Sequence, residues 1–336
     1  MEETMGDRIR VGMDGTLLRR SGGPATYIRN IVRELEERED VEVVLFDYPG
    51  IPRPLREHVL IPSLSVRCDI FHHVKSIASP FFSVPQVVTL HDFIPLDFPG
   101  TESFPARIYW KFHIPLALEY AKKIIVPSRW VEKRAVEYGV EREKIRVIYH
   151  GVEERFFKGS EMEIRRLFSL PQEFVLYVGT VKPRKNIERL SRVCERLKIP
   201  FVVAGRKGYM GEKILNSINA IYLGHVPDIV LPSLYRACTV FVYVSLAEGF
   251  GLPVLEAMAA GAPVITSRNS PMEEFSQGAC IYVNPEDEEE IEEKLRELLK
   301  DAHLRKLLGE RGRRIAREFT WKRVGEETVR VYKEVV

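Results

Sequence analysis

Short apolar runs rich in β-branched residues alternate with helix-length amphipathic stretches along the whole chain, and the alternation starts twice. In the first series, 9–13, 41–46, 69–72, 86–90, 124–126 and 145–148 read as strands, with a helix expected over about 24–37 and a longer one between 105 and 122. A second series begins after Pro171, with strands expected at 174–178, 201–203, 220–223, 239–244, 264–265 and 281–283, and a helical tail from 287. Strands separated by helices pair in parallel, so the fold class is α/β with doubly wound parallel sheets. Two series imply two Rossmann-like domains, each binding ligands beyond the carboxyl ends of its strands. The polar stretch beginning at Lys158 divides them into 1–158 and 159–318, with 319–336 as a final helix opened by Trp321.

One segment carries chemistry as well as fold. Ser245-Leu-Ala-Glu248-Gly249-Phe250-Gly251-Leu252-Pro253-Val-Leu-Glu256 follows the apolar run 239–244 and ends in Ala-Met-Ala-Ala-Gly261. Pro253 suits a first helical position and Gly261 a helix stop. Glu248 then stands at the carboxyl end of a strand, and Glu256 is expected in the first turn of the following helix. Gly249 and Gly251 let backbone N–H groups approach a ligand closely, and a helix N-terminus behind them favours an anion. A carboxylate on either side of an anion cradle suits a ligand with both hydroxyls and phosphate, as a nucleotide sugar has.

The segment resembles the paired-glutamate signature of the retaining glycosyltransferases of family 4, and the chain is most similar to their mannosyltransferase-like subgroup. The resemblance implies the GT-B fold, two Rossmann-like domains facing a cleft, with the last helix crossing back onto the first domain. It implies that Glu248 meets the donor sugar's hydroxyls and that Glu256 accepts hydrogen bonds from the ribose. Pro127-Ser128 and Val147-Ile-Tyr-His-Gly151 match landmarks of the same family, so the likeness runs from Ile9 to the last helix.

Four further places fit this reading. Ser21-Gly22-Gly23-Pro24 opens a helix after the first strand, where tandem glycines suit close backbone approach to a diphosphate or sugar. The related subgroup often has Gly-Ile-Gly-Arg-Tyr there, from which Pro24 and Ala25 depart. His91, at the end of the strand 86–90, is implied to reach the donor sugar, where an imidazole can hydrogen-bond a hydroxyl. In Gly179-Thr-Val-Lys182-Pro-Arg184-Lys185, three cations crowd the turn after the second domain's first strand. Fixed cations there stabilise the charge that grows on a departing diphosphate. The resemblance gives Lys185 that grip, and Arg184 takes the place of an arginine that many relatives carry where this chain has Thr180. Val226, in the loop after the strand 220–223, is implied to pack its backbone around the nucleotide base.

Other chemistries lack their motifs. No Gly-x-Gly-x-x-Gly and no phosphate loop of the Walker type occur, which excludes the usual dinucleotide and triphosphate sites. There is no Asp-x-Asp to hold a hard cation, so neither metal nor other cofactor is expected. His72-His73 reads as structural, with no third ligand at metal spacing. The formal net charge of +2 gives no electrostatic case for nucleic acid. Met1-Glu-Glu-Thr-Met-Gly-Asp7 lacks the pattern of a secretory leader, and no apolar run approaches a membrane span. Four scattered cysteines read as buried thiols, which suits a reducing cytoplasm. Abundant Lys, Arg and Glu with only three Gln match a hyperthermophile composition.

The expectation is a metal-independent, retaining transfer of a hexose, mannose favoured, from a nucleoside diphosphate sugar to a hydroxyl of a glycan or lipid-linked sugar. The subgroup leans towards GDP-mannose, with UDP sugars as the other donors. An epimerase of similar fold, releasing a free sugar, and a non-catalytic nucleotide-sugar binder stay open. The basic aromatic stretch 107–112 allows weak peripheral contact with a membrane through Trp110 and Lys111, although half-core, half-solvated surface is the favoured reading.

Overall fold

The computed structural model describes residues 8–19 and 22–336, without the side chains of 161–163. The acidic start at 1–7 and Ser21 lie outside the described residues. The chain forms two compact units: Met1–Pro99, Phe104–Gly151 and Trp321–Val336 in the first, and Gly100–Ser103 with Val152–Thr320 in the second.

The first unit is built on six parallel strands, β1 (Ile9–Asp14), β2 (Val41–Phe46), β3 (Ile70–His73), β4 (Gln86–Thr89), β5 (Lys123–Val126) and β6 (Ile145–Val147). Their order is β2-β1-β3-β4-β5-β6. Chain direction across the sheet reverses between β1 and β3, which is the switch point where such sheets open a ligand crevice. Central strands are covered on both faces: Val11, Ile70, Val87, Val88 and Ile124 are wholly inaccessible. Double burial explains why their sequences read as continuous apolar runs without alternation.

The last helix, Trp321–Lys333, belongs to this unit and buries Trp321, Val324, Thr328, Val329 and Tyr332. Its Tyr332 hydroxyl lies 2.6 Å from His72 Nδ1, and Lys333 pairs with Asp40 at 2.7 Å. Thr89 Oγ1 takes the other nitrogen of His72, and His73 meets Gln86. Burial holds both rings neutral, with their pKa values pulled down to about 3 and about 4. The pair is structural, as its sequence context implies.

The second unit carries β7 (Val175–Val178), β8 (Phe201–Ala204), β9 (Ile221–Gly224), β10 (Val240–Tyr243), β11 (Val264–Ser267) and β12 (Ile281–Val283), again all parallel. The order β12-β11-β10-β7-β8-β9 is the dinucleotide-fold arrangement, with its switch point between β7 and β10.

The division falls at 151/152, ahead of the expected 158/159, and the return at 320/321 instead of 318/319. Residues 152–157 fold with the second unit because Val152 N donates to Phe319 O at 2.9 Å and the buried Phe156 ring packs on Tyr235. Gly100–Ser103 also joins this unit, where Glu102 pairs with Lys182 at 2.6 Å. All four cysteines are buried, and none is in a disulfide. Among the described residues no helix is long and apolar enough to cross a membrane.

Candidate active site

The switch point of the second sheet gathers the sequence's strongest candidates. After β7 the chain passes Gly179, runs into the short turn Pro183–Lys185 and leaves through Asn186 in the left-handed region. Asn186 ties this turn to the opposite strand, donating from Nδ2 to Val244 O at 3.1 Å and to Pro285 O at 2.6 Å. Across the switch point, Leu246 N and Ser245 Oγ both donate to Arg184 O, at 2.9 and 3.1 Å. The two loops are therefore one hydrogen-bonded body.

Three charges meet inside it. Arg184 Nη1 donates to Glu248 Oε1 at 3.0 Å and to Ala247 O at 2.7 Å. The Lys185 ammonium donates to the same Oε1 and to the Tyr243 hydroxyl, which itself lies 3.1 Å from that oxygen. Lys185 is only 7% exposed and sits over the Tyr243 ring, 4.8 Å from its centroid. Burial alone would raise the Glu248 pKa, but Lys185 and Arg184 overrule it and hold the carboxylate down at about 2. Glu248 is therefore ionised throughout the physiological range.

Glu256 has the opposite character. The helix Leu252–Ala260 starts one residue earlier than Pro253 suggests, capped by Gly251 at φ 100°, and has no acidic residue in its first turn. Glu256 thus lies in the second turn, beyond the free N–H groups of the helix start, which corrects the expected placement. Burial pushes its carboxyl up to about 7, partly opposed by the Tyr235 hydroxyl, which donates to Oε2 at 2.8 Å. One carboxylate is fixed as an anion and the other is poised between its two forms. Gly251 is required where it stands, because a Cβ there would come within 2.5 Å of Met272 Cγ.

The other expected donor contacts separate into backbone and side chain. Phe250 is buried and stacked on Phe275 at 4.6 Å, and Leu252 and Val226 also point into the core. These three can offer a ligand their main chain only. Lys182 pairs with Glu102, away from the Glu248 cluster of charges.

Gly22, Gly23 and His91 belong to the first unit. Gly22, at φ 103°, caps the helix Gly23–Glu36, and both glycines are exposed. The His91 ring lies edge-on to Tyr27 at 5.2 Å, and its Nε2 donates to Val74 O at 2.9 Å. Burial lowers its pKa and keeps the ring neutral, so Nδ1 carries the lone pair and can accept a hydroxyl proton.

Sequence reasoning missed Tyr243, Tyr235 and Asn186. Tyr243 reads as part of the apolar strand 239–244 and Tyr235 carries no signal of its own, and only the folded register sets their hydroxyls on Glu248 and Glu256.

Comparison with known proteins joins this geometry to a family. Residues 161–315 match the family described as glycosyl transferases group 1, and residues 60–156 match glycosyltransferase family 4. The O-antigen chain mannosyltransferase RfbU of Salmonella typhimurium is 30% identical over 252 residues, covering 70% of this chain and 68% of that protein. O-antigen chain mannosyltransferase B of Escherichia coli is 34% identical over 175 residues, 48% of this chain and 46% of that protein. Among solved structures, Anabaena HepE in complex with UDP-glucose matches with a TM-score of 0.79 at 17% identity, over 97% of this chain and 100% of that one, a likeness of fold. The chain is a glycosyltransferase of family 4, with the paired parallel sheets of the GT-B fold.

Proposed function

We propose that the chain transfers mannose from a nucleoside diphosphate sugar, GDP-mannose, to a hydroxyl of a glycan or lipid-linked sugar, with retention at the anomeric carbon and without a metal. The observation that carries this reading is the buried trio of Arg184, Lys185 and Glu248 at the β7/β10 switch point. A diphosphate arriving there competes with Glu248 for both cations. The displaced carboxylate is then an acceptor for the donor sugar's hydroxyls, and Glu256 serves the ribose. Gly249 and Gly251 in the second unit, with Gly22 and Gly23 in the first, supply backbone approach to the donor. His91 Nδ1 accepts from a sugar hydroxyl.

As the bond between the anomeric carbon and the phosphate oxygen breaks, its electron pair stays on the diphosphate. Lys185 and Arg184 stabilise that charge where it develops. The acceptor oxygen bonds to the anomeric carbon from the same face, and its proton passes to the departing phosphate oxygen. No protein nucleophile is needed, and the two cations supply the positive charge that a metal would otherwise bring. Mannose is favoured because both sequence relatives above carry mannosyltransferase names.

Peripheral membrane contact belongs to the same reading. On the helix Phe104–Tyr120, Phe104, Ile108 and Phe112 form an exposed apolar row beside the exposed Lys111.

Calorimetric titration with GDP-mannose, UDP-glucose, UDP-N-acetylglucosamine and NAD, with and without EDTA, tests the proposal. Selective binding of GDP-mannose that survives EDTA, followed by transfer to an acceptor, is the expected result. Release of a free epimerised sugar would instead favour an epimerase, and binding of NAD alone would end the donor reading.

A further inference from the structure

The first unit has its own switch point, between β1 and β3, and the donor chemistry leaves its charged residues unused. Asp14 closes β1 and Lys75 follows β3, with Lys75 Nζ 3.2 Å from Asp14 Oδ2. The segment between β2 and β3 brings Arg53, Arg56 and Glu57 to the same place. Arg56 and Glu57 open a π-helical turn, Arg56–Leu60, a rare conformation that recurs at functional sites.

Arg56 is the anomaly. Its side chain is 8% exposed, yet Nε has no hydrogen-bond partner among the described residues. Its Nη2 lies 3.5 Å from Glu57 Oε1 and 3.9 Å from Asp14 Oδ2, both long for a guanidinium–carboxylate pair. The two carboxylates are satisfied elsewhere. Arg53 Nε and the Tyr109 hydroxyl donate to Glu57 at 2.9 and 2.8 Å, and the backbone and hydroxyl of Thr16 donate to Asp14 Oδ1 at 2.9 and 2.6 Å. Three cations, Arg53, Arg56 and Lys75, thus face two carboxylates, and the most buried of the three has the poorest contacts. A buried guanidinium in this state is unfavourable unless an anion is supplied from outside. Its planar fork matches phosphate oxygens, and the carboxyl ends of β1 and β3 are where this sheet takes ligands.

We propose that Arg56, with Arg53 and Lys75, forms the seat for a phosphate group on the acceptor, so that the sugar is transferred to a phosphorylated molecule. The word acceptor rests on the transfer reading above, whereas the phosphate seat rests on these residues alone. A soluble sugar phosphate and a lipid-linked sugar phosphate share the chemistry that Arg56 would recognise.

The test is calorimetric titration of the full chain with mannose 6-phosphate, mannose and farnesyl diphosphate, in the wild type and in Arg56→Gln, Arg53→Gln and Lys185→Ala. Mannose 6-phosphate should bind and mannose should not. Arg56→Gln should weaken the phosphate compound by about tenfold or more, and the more exposed Arg53→Gln, which keeps the test alive if Arg56→Gln misfolds, by about threefold. Lys185→Ala should leave this binding unchanged. A preference for farnesyl diphosphate would assign the seat to lipid-linked acceptors, and the reverse preference to soluble ones. Equal binding of mannose and its phosphate, no binding of either phosphate compound, or loss in Lys185→Ala with retention in both arginine variants would overturn the proposal. A separate titration with GDP reports on the donor site, so failure there would leave the phosphate seat standing.

Discussion

Arg184 and Glu248 are 64 residues apart in the chain and 3.0 Å apart in the fold, and Lys185 shares the same carboxylate oxygen. Such a cluster is stable only while its charges balance. Glu248→Gln leaves two buried cations side by side, and breaking a buried pair in this way costs about 3–5 kcal/mol. The ligand-free variant should therefore melt well below the wild type, and GDP should raise its Tm by more than it raises the wild type's, because the diphosphate replaces the missing anion. A variant that melts like the wild type would show that the cluster is not neutralised through Glu248.

Lys185→Ala asks about turnover. It leaves Arg184 on Glu248 and removes one donor from the site where leaving-group charge develops, so kcat should fall by about 10²–10³. Turnover close to that of the wild type, with the fold intact, would move the diphosphate away from this loop.

Glu256 sets a pH dependence with opposite signs for stability and binding. Its folded pKa, about 7, lies above the ordinary 4.5. The stability it contributes is therefore fully present below pH 4.5 and is lost as pH rises through 7, by at most about 3 kcal/mol. Glu256→Gln removes that loss, so the variant should gain on the wild type in Tm between pH 5 and pH 8. GDP affinity should run the other way in the wild type, rising as the carboxylate forms to accept from the ribose, and should be flat in the variant. Parallel calorimetry and melting curves across this range would check both limbs.

Two glycines separate packing from ligand approach. A Cβ on Gly205 would lie 1.9 Å from Gly179 O, at φ 146°, and backbone cannot yield as a side chain end can. Gly205→Ala should lose about 3 kcal/mol or more. At Gly23 a Cβ meets nothing within 4 Å, so Gly23→Ala should change stability by less than about 0.5 kcal/mol. If a donor does approach this loop, Gly23→Ala should lower GDP-mannose affinity while the Tm holds. Unchanged affinity would remove Gly22 and Gly23 from the donor site.

Much of this fold is legible because strands such as β7 and β10 are buried on both faces, and burial on both faces leaves an unbroken apolar run in the sequence. The turn at Lys185 and the loop at Glu248 are legible as loops at strand ends, where side chains are freed from packing. What is not legible depends on long-range register. Nothing near Lys182 announces Glu102, and nothing near His58 announces His113, whose Nε2 atoms lie 3.1 Å apart. Helix starts are offset for a local reason: Gly251, not Leu252, provides the cap, so Glu256 moves from the first turn to the second. Arg56 sits in a segment whose π-helical turn has no periodic signature.

The helix Phe104–Tyr120 is half core and half solvated surface, as its sequence leads one to expect. Trp110 packs partly buried against the core that includes Ile114, Ala117 and Ala121, so altering it would disturb the fold. The solvated face carries an apolar row: Phe104 and Phe112 are 71% and 69% exposed, eight positions apart on one helix face with Ile108 between them. Rings this large seldom stay in water without a partner surface, and a neighbouring Lys111 favours an anionic one. Phe104→Ser with Phe112→Ser removes the apolar contact and leaves Trp110 and its core untouched. Co-sedimentation with phosphatidylglycerol vesicles should fall by about tenfold or more in the double variant, with the Tm and GDP-mannose binding unchanged. Lys111→Glu should weaken binding to anionic vesicles and leave the weaker binding to neutral ones as it was. Equal sedimentation of wild type and double variant would show that this row does not meet a membrane, and that a lipid-linked acceptor must be delivered by another face.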